Sequence, residues 1–487
     1  MAELASRVPL PAVRRFPAGW IALALLGSAG LGIGMQAAPM VAVDVVVAAV
    51  VAVAVALRPY ESLLVILALR ATVVNSVFGD IATFAGGAIA LAAAAPRLPV
   101  RRVSIPLIAF LLIALPGVPM APSLDEGFVP AAYVPGLGLQ YLDPPSTELL
   151  QWLRLGTALV VLCLAAWTVR DRVRLELAVG AILAGALYPI AIGLQQIATG
   201  DYQQRAGFDA IRGPFYQSNY YAFYLVVALT VAYAATAELR ALWQRVAAWA
   251  VLGLGTVCLV FTYTRAAWIG FAAVLLIAGL LQYRRVLIVA AVALLGLAIG
   301  MPTQTERVGQ RIDSITNPAS SGDDSWSWRK GEWRRMFPNG MAHPVTGTGF
   351  GSYSRMTVQE FGTKDPKYST AITPGRQGFA AHNDYLKTFV ENGFPGLALW
   401  LLVLTGIAAT MWRARRNPRI RGYASAGFAL SIALLGMSFS DNIQAYTAVM
   451  IYALAFAGAV YGAATAAGAA RRPGGDATGS RAAPDRA

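Results

Sequence analysis

The stretch AHNDYLKTFVENGFPG, residues 381–396, ends a long polar interval and opens an apolar run. That interval extends from Met301 to Asn392, and outside it the chain is a near-continuous series of apolar segments. With 57% hydrophobic and 13% charged residues and a mean hydropathy of +0.56, the chain lies far from soluble domains, in which about a quarter of residues are charged. A membrane span needs about twenty mostly apolar residues. Runs of that kind begin near Ala18, Pro39, Tyr60, Ile81, Val103, Glu148, Leu175, Phe215, Val246, Ala266, Val286, Gly393, Gly422 and Ile443. The expected fold is an all-α polytopic membrane protein with roughly 12–14 transmembrane helices and one large outer loop containing helices.

A formal net charge of +14 invites a nucleic-acid reading, but the placement of the charge argues for topology. If the N-terminus is cytoplasmic, Arg14/Arg15, Arg58, Arg97/Arg101/Arg102, Arg170/Arg172/Arg174, Arg240/Arg245, Arg284/Arg285, Arg413/Arg415/Arg416/Arg419/Arg421 and Arg471/Arg472 all fall on one side. That is the positive-inside pattern, and it predicts cytoplasmic termini with the 301–392 interval outside. The expected organisation is transmembrane helices over 1–300, a large outer loop domain over 301–392, C-terminal transmembrane helices over 393–466 and a disordered tail over 467–487. No small-residue cleavage site follows the first apolar run, which reads as span one.

Cys163 and Cys258 lie inside apolar runs and read as small buried hydrophobes. Arg70 interrupts LVILALRATVVNSV, where a charge must be paired or line a wet cavity. Asp44, Asp80 or backbone carbonyls are its candidate partners, and a substrate-facing role is the alternative. Met120–Thr147, rich in proline, reads as a lid or a spacer. Arg154 reads equally as snorkelling to the surface or as functional. In TGDYQQRAGFDAIRGPFYQSN, residues 199–219, Arg212 precedes Gly-Pro at a helix start, a combination suited to an anion. Tyr216, Tyr220, Tyr221 and Tyr224 have the composition of an interfacial belt. Arg265 breaks the charge rule at an outer turn, where Thr262, Tyr263 and Thr264 add hydroxyls suited to a phosphate; the bland alternative is an interfacial anchor.

The polar interval has nearly balanced charge and many aromatic residues, so it should be folded. SWSWRKGEWRRMF has the spacing of an amphipathic helix that could lie on the outer leaflet. HPVTGTGFGSY is Gly-rich but lacks the Gly-Lys-Ser ending of a phosphate-binding P-loop. His343 and His382 are the two histidines, too few for a zinc site without outer cysteines. Asp323-Asp324 reads as a solvated pair rather than a metal site, and His343, preceding Pro344, as structural. His382 opens a helix at a wet polar surface, where an imidazole suits a general base.

His382-Asn383, nine residues, then Gly393-Phe394-Pro395-Gly396 resembles the signature of the O-antigen ligase and polymerase superfamily of bacterial envelope glycosyltransferases. Arg212-Gly213-Pro214-Phe215 with Asn219 downstream, Thr262-Tyr263-Thr264-Arg265-Ala266-Ala267-Trp268, and His343-Pro344 followed by Gly347, Gly349 and Gly351 agree with it. The resemblance covers about residues 200–400. It implies a GT-C type fold in the bacterial inner membrane with a periplasmic loop. It also implies an undecaprenyl-diphosphate-linked glycan donor, and lipid A-core or a second lipid-linked glycan as acceptor. On that reading His382 is the catalytic base, while Arg212, Arg265, Asn219, Asn383 and Tyr263 bind substrate. No cofactor, metal or nucleic acid is expected. An O-antigen ligase is the first reading, a polymerase of the same superfamily the second, and a transporter with broken helices and mid-bilayer charge pairs the non-enzymatic one.

Overall fold

A computed structural model of the protein describes residues 49–72, 77–94, 98–117, 129–134, 138–142, 144–205, 208–282, 309, 325–354, 356–357 and 380–469. Residues 49–57 are helical and are followed by α1 (Pro59–Leu69), α2 (Val77–Ala94) and α3 (Arg101–Ala114). After the β1–β2 hairpin (Val129–Val134, Gly138–Leu142) come α4 (Pro144–Thr168), α5 (Arg172–Thr199) and the β3–β4 hairpin (Gln203–Arg205, Phe208–Ala210). The chain continues through α6 (Ser218–Glu238), α7 (Leu242–Phe261), α8 (Arg265–Leu281) and α9 (Ser325–Ala342). It ends in α10 (Asp384–Ala414), α11 (Arg421–Ser438), a 3-10 turn (Ile443–Ala445) and α12 (Thr447–Ala469).

The protein is a nearly all-helical, polytopic membrane protein. Among the described residues six helices are long and apolar enough to cross a membrane: Leu149–Thr168, α5, α6, α7, α10 and Thr447–Ala466. Pro59–Leu69, Asp80–Ala93 and Arg265–Leu281 are shorter apolar helices. The expected spans near Ala18 and Val286, the tail beyond 469 and the Asp323-Asp324 pair lie outside the described residues. The two short hairpins are departures from the all-α expectation.

Composition decides which helices sit inside. In α6, SNYYAFYLVVALTVAYAATAE, apolar side chains face every direction, and 94% of its most apolar window is buried. A helix apolar all round belongs at the centre of a bundle. Tyr220, Tyr221 and Tyr224 are buried there, which corrects the expectation of an interfacial belt. Their hydroxyls have internal work: Tyr221 donates to Pro189 O at 2.8 Å, and Tyr220 accepts from Ala448 N at 2.8 Å. The Tyr220 ring also stacks on Tyr446 with centroids 4.7 Å apart. Around this centre α12 packs along α4, α8 along α11 and α10 along α3. Cys163 and Cys258 are buried and unpaired, as their apolar surroundings predict.

Arg154 is buried rather than snorkelling. Its Nε is 3.2 Å from Asp80 Oδ2, while Arg70 Nη2 is 2.7 Å from Asp80 Oδ1. The three residues are 8%, 7% and 1% exposed in the order Arg154, Arg70, Asp80. Of the partners considered for Arg70, Asp80 is paired with it and serves two guanidinium groups at once, while Asp44 lies outside the described residues.

Candidate active site

Three non-glycine residues among those described have positive φ: Val100, Tyr263 (49°) and His382 (46°). Left-handed backbone at a bulky residue is strained and persists where surrounding contacts fix it. Two of the three are candidate site residues.

His382 is placed by the start of α10. Asn383 is its N-cap, with Oδ1 accepting from Tyr385 N at 3.0 Å and Leu386 N at 3.1 Å. The Asn383 backbone N–H donates to Asn442 Oδ1 at 3.2 Å, tying the helix start to the connection between α11 and α12. Asn383 therefore has a structural reason for following His382, since its side-chain oxygen caps the helix.

Farther along, α10 breaks at Gly393, where φ is 64° and ψ is −170°. A Cβ there would lie 2.5 Å from Val345 O, and one at Gly347 (φ 67°) would collide with the Glu391 carbonyl. Phe394 N donates to Pro344 O at 2.8 Å, and Gly349 N to Glu391 O at 2.9 Å. The His-Pro-Gly-rich segment thus docks backbone to backbone on the break in α10. Glu391 is committed to this joint: Oε2 accepts from Lys387 Nζ at 2.8 Å and Oε1 from Tyr353 N at 3.3 Å. His343 is exposed at the same turn, its carbonyl accepting from Gly347 N at 2.8 Å.

The residue that organises the centre is Asp441, which the sequence reading did not single out. Its Oδ1 lies 3.1 Å from His382 Nδ1 and accepts from Tyr446 OH at 2.9 Å and Asn442 N at 2.8 Å. Its Oδ2 accepts from Asn219 Nδ2. Thr264 Oγ1 in turn donates to Asn219 Oδ1 at 3.1 Å. A continuous chain of hydrogen bonds therefore runs from His382 through Asp441 and Asn219 to Thr264, which immediately precedes Arg265. Burial opposes ionisation of Asp441, but the His382 charge and hydrogen bond, Arg329 and the Asn442 N–H outweigh it and hold the carboxyl well below its usual range. The ionised carboxylate orients the imbalance of protons on His382: with Nδ1 facing Asp441, Nε2 is the nitrogen left to exchange a proton. His382 keeps 19% of its side chain exposed, so the ring is reachable.

Arg265 directly follows the Thr264 end of this chain, and the backbone of the Arg212 segment is bonded just before it. Ile211 N donates to Phe261 O at 3.1 Å, which holds the Arg212 segment against the end of α7. Gln196 of α5 fixes the Arg-Gly-Pro turn, its Oε1 accepting from Arg212 N at 3.1 Å and Gly213 N at 2.9 Å. Arg265 is the first residue of α8, directly after the strained Tyr263 and the cap position Thr264. Both arginine side chains are half-buried. Tyr263 is 4% exposed, with its ring centroid 6.3 Å from Trp268. Asn219, buried and bonded on both side-chain atoms, holds Asp441 against Thr264.

The amphipathic stretch expected around Trp326–Phe337 is α9, and it packs on protein beside the site. Trp333 Nε1 donates to Ala381 O at 2.7 Å, and its ring lies 5.6 Å from Phe439. The Trp328 ring meets the His382 ring edge-on at 6.3 Å. On the inward face of α9, Glu332 and Met336 are buried.

Residues 248–401 match the sequence model of the O-antigen ligase family, which bears out the resemblance read from the sequence. The matched stretch contains the Thr264–Arg265 turn, α9, His382 and the Gly393 break, while Arg212, Asn219 and Asp441 lie outside it. No curated protein matches the chain.

Proposed function

We propose that the chain is an O-antigen ligase that moves a glycan from a polyprenyl diphosphate to a sugar hydroxyl of a lipid A-core acceptor. The observation that carries this reading is the hydrogen-bonded line from His382 through Asp441 and Asn219 to Thr264 and the Arg265 turn. It joins a candidate base to a candidate diphosphate anchor within one site. In the proposed step His382 Nε2 takes the proton from the acceptor hydroxyl while its oxygen attacks the anomeric carbon of the donor. The bond from that carbon to the diphosphate oxygen breaks, and the lipid diphosphate leaves. Arg212 and Arg265 supply bidentate donors to the charge that develops on it. Asp441 holds the imidazole in the required tautomer and stabilises the imidazolium formed in the step. The reaction takes place on the periplasmic side, with the His382 end of the bundle outside, in keeping with the arginine distribution.

The test is transfer by the purified full chain, supplied with a lipid-linked glycan and lipid A-core. Glycan on lipid A-core supports the ligase. Glycan elongated on the lipid carrier, with lipid A-core untouched, would make the protein a polymerase. Movement of the intact donor across a vesicle membrane without transfer would make it a transporter.

A further inference from the structure

At the opposite end of the bundle from His382, the terminal turns of α3, α4, α10 and α12 enclose a pocket of about 970 Å³. Arg101 and Arg102 of α3, Arg170 just after α4, and Arg413 of α10 line it, together with Trp167 and Tyr461. We propose that this pocket is a binding site for the headgroup of an anionic phospholipid of that leaflet, best filled by a lipid with two phosphodiesters such as diphosphatidylglycerol.

The convergence of four guanidinium groups on one cavity separates this pocket from its surroundings. Some arginines at the same end are paired with acids: Arg172 with Glu176 at 2.7 Å and Glu238 at 3.3 Å, Arg174 with Asp171 at 3.7 Å, and Arg58 with Glu61 at 3.9 Å. Among the described residues none of the four pocket arginines has a carboxylate within ion-pair distance; Arg170 Nε instead donates to Trp167 O at 3.0 Å. Positive-inside topology accounts for arginines at this level of the membrane. It does not account for four of them converging on one cavity that, among the described residues, no acid lines.

The backbone adds to the same potential. α3 begins at the pocket, and its N-cap is Val100, which has φ 49° and makes no side-chain cap to the first turn. A β-branched residue in left-handed backbone, preceding a helix start whose N–H groups lack a side-chain acceptor, leaves donors and a positive dipole end beside the arginines.

A lipid fits better than a free anion for three reasons. The pocket lies between the ends of membrane helices, at the level where headgroups sit. Its lining includes the half-buried Ala464 and Ala466, apolar positions that can meet acyl chains. Trp167 and Tyr461, both half-buried, are the amphipathic rings that favour the boundary between headgroup and hydrocarbon. Basic pockets between helices on the inner side of a membrane are suited to phospholipid headgroups, with on the order of fivefold in affinity per arginine. The inference is independent of the glycan-transfer reading, because none of these residues belongs to the His382 site.

Native mass spectrometry of the full chain in detergent, titrated with diphosphatidylglycerol or with phosphatidylethanolamine, tests the proposal. Retention of the anionic lipid alone is expected, and Arg101→Gln with Arg413→Gln should reduce it by about tenfold or more. Arg416→Gln with Arg419→Gln, exposed at the same end but outside the pocket, should leave retention unchanged. Equal retention of the two lipids, or equal loss in the control pair, would overturn the site in favour of general surface attraction. Displacement of the lipid by millimolar inorganic phosphate would make it a free-anion site and overturn the lipid assignment. A photoactivatable diphosphatidylglycerol on the unmodified protein supplies a measurement independent of variant folding: labelling around Trp167 and Tyr461 is expected, and labelling confined elsewhere refutes the site.

Discussion

The Nδ1 atom of His382 sits 3.1 Å from Oδ1 of Asp441, although the two residues are 59 positions apart. Asp441 is 1% exposed and also bonded to Tyr446, Asn442 and Asn219, so its position does not depend on the histidine. Replacing Asp441 by Asn keeps the shape but offers the imidazole an amide that can favour the wrong tautomer. Transfer should fall by about a hundredfold or more, chiefly in kcat, while protein yield and donor retention change little. The pH profile of the residual activity should move as well, because the imidazolium loses its counter-charge. An unchanged kcat and pH profile in a well-folded Asp441→Asn protein would show that the pair is structural.

Arg212 and Arg265 are expected to act through fork geometry. Lysine keeps the charge but cannot make two parallel hydrogen bonds to a diphosphate. Arg212→Lys and Arg265→Lys should each lose most transfer activity, about tenfold or more, with the larger part in kcat if the contact strengthens as the leaving group departs. Full activity in both variants at normal protein levels would reduce them to interfacial anchors.

His382, Arg212 and Arg265 stood out in the sequence because each is a residue type that breaks its surroundings: an imidazole at the edge of a polar interval, and arginines at turns where the positive-inside pattern expects none. Asp441 was not. It stands in SFSDNIQAYTA, a short polar break between two apolar runs, and a single acid there is what any connecting turn could carry. The signal that could have found it is Asp-Asn followed by Gln and Tyr at the same membrane level as His382, all hydrogen-bonding types in one short turn. The tyrosines of α6 were misread, and Arg154 was left undecided, for one shared reason. Distance from the end of a span suggests snorkelling or an interfacial belt, but it carries no information on which helix is central. Only the packing of α6 and α12 in the middle of the bundle decides that those polar groups turn inward.

Asp80 supports two buried guanidinium groups, so removing its charge should be far worse than losing one ion pair. Asp80→Asn leaves Arg70 and Arg154 without their carboxylate, and the expected destabilisation is about 3–5 kcal/mol. Thermal unfolding followed by tryptophan fluorescence in detergent measures it. Adding Arg154→Met to Asp80→Asn should recover part of the loss. A destabilisation under about 1 kcal/mol in the single variant would mean that water or lipid already screens the cluster.

Glu332, 1% exposed on α9, has its carboxyl pushed up to about 8 by burial, with the Tyr353 hydroxyl and Arg329 offsetting only part of the effect. Its carboxyl oxygens lack fully formed hydrogen bonds. The folded protein therefore holds this proton up to a higher pH than the unfolded chain, whose glutamates titrate near 4.3. The stabilising contribution is fully present below about 4.3 and is lost as pH rises through about 8. Glu332→Gln, neutral at every pH, should flatten the fall in stability between pH 6 and 9 and raise the melting temperature at pH 9 by about 2 °C or more. Parallel melting curves for the two proteins across that range would place an ionised Glu332 in the folded state and remove the argument.

His382→Ala separates the base from the anchors and, in cells, the ligase from the polymerase. If the imidazole takes the acceptor proton, the variant should keep its fold and its donor but transfer glycan about a hundredfold or more slowly. Retained folding can be checked by the melting temperature, since α10 is still capped by Asn383 and joined to Asn442. In a strain that makes long-chain lipopolysaccharide and has this protein as its ligase, the lesion should leave core-only lipopolysaccharide while long glycans accumulate on the lipid carrier. A polymerase carrying the same lesion would leave single repeat units, still joined to core by the strain's own ligase. One gel of the lipopolysaccharide, read beside an extract of the lipid-linked pool, distinguishes the two outcomes. Wild-type patterns in both would mean that His382 serves the helix start alone, and that the proton leaves the acceptor by another route.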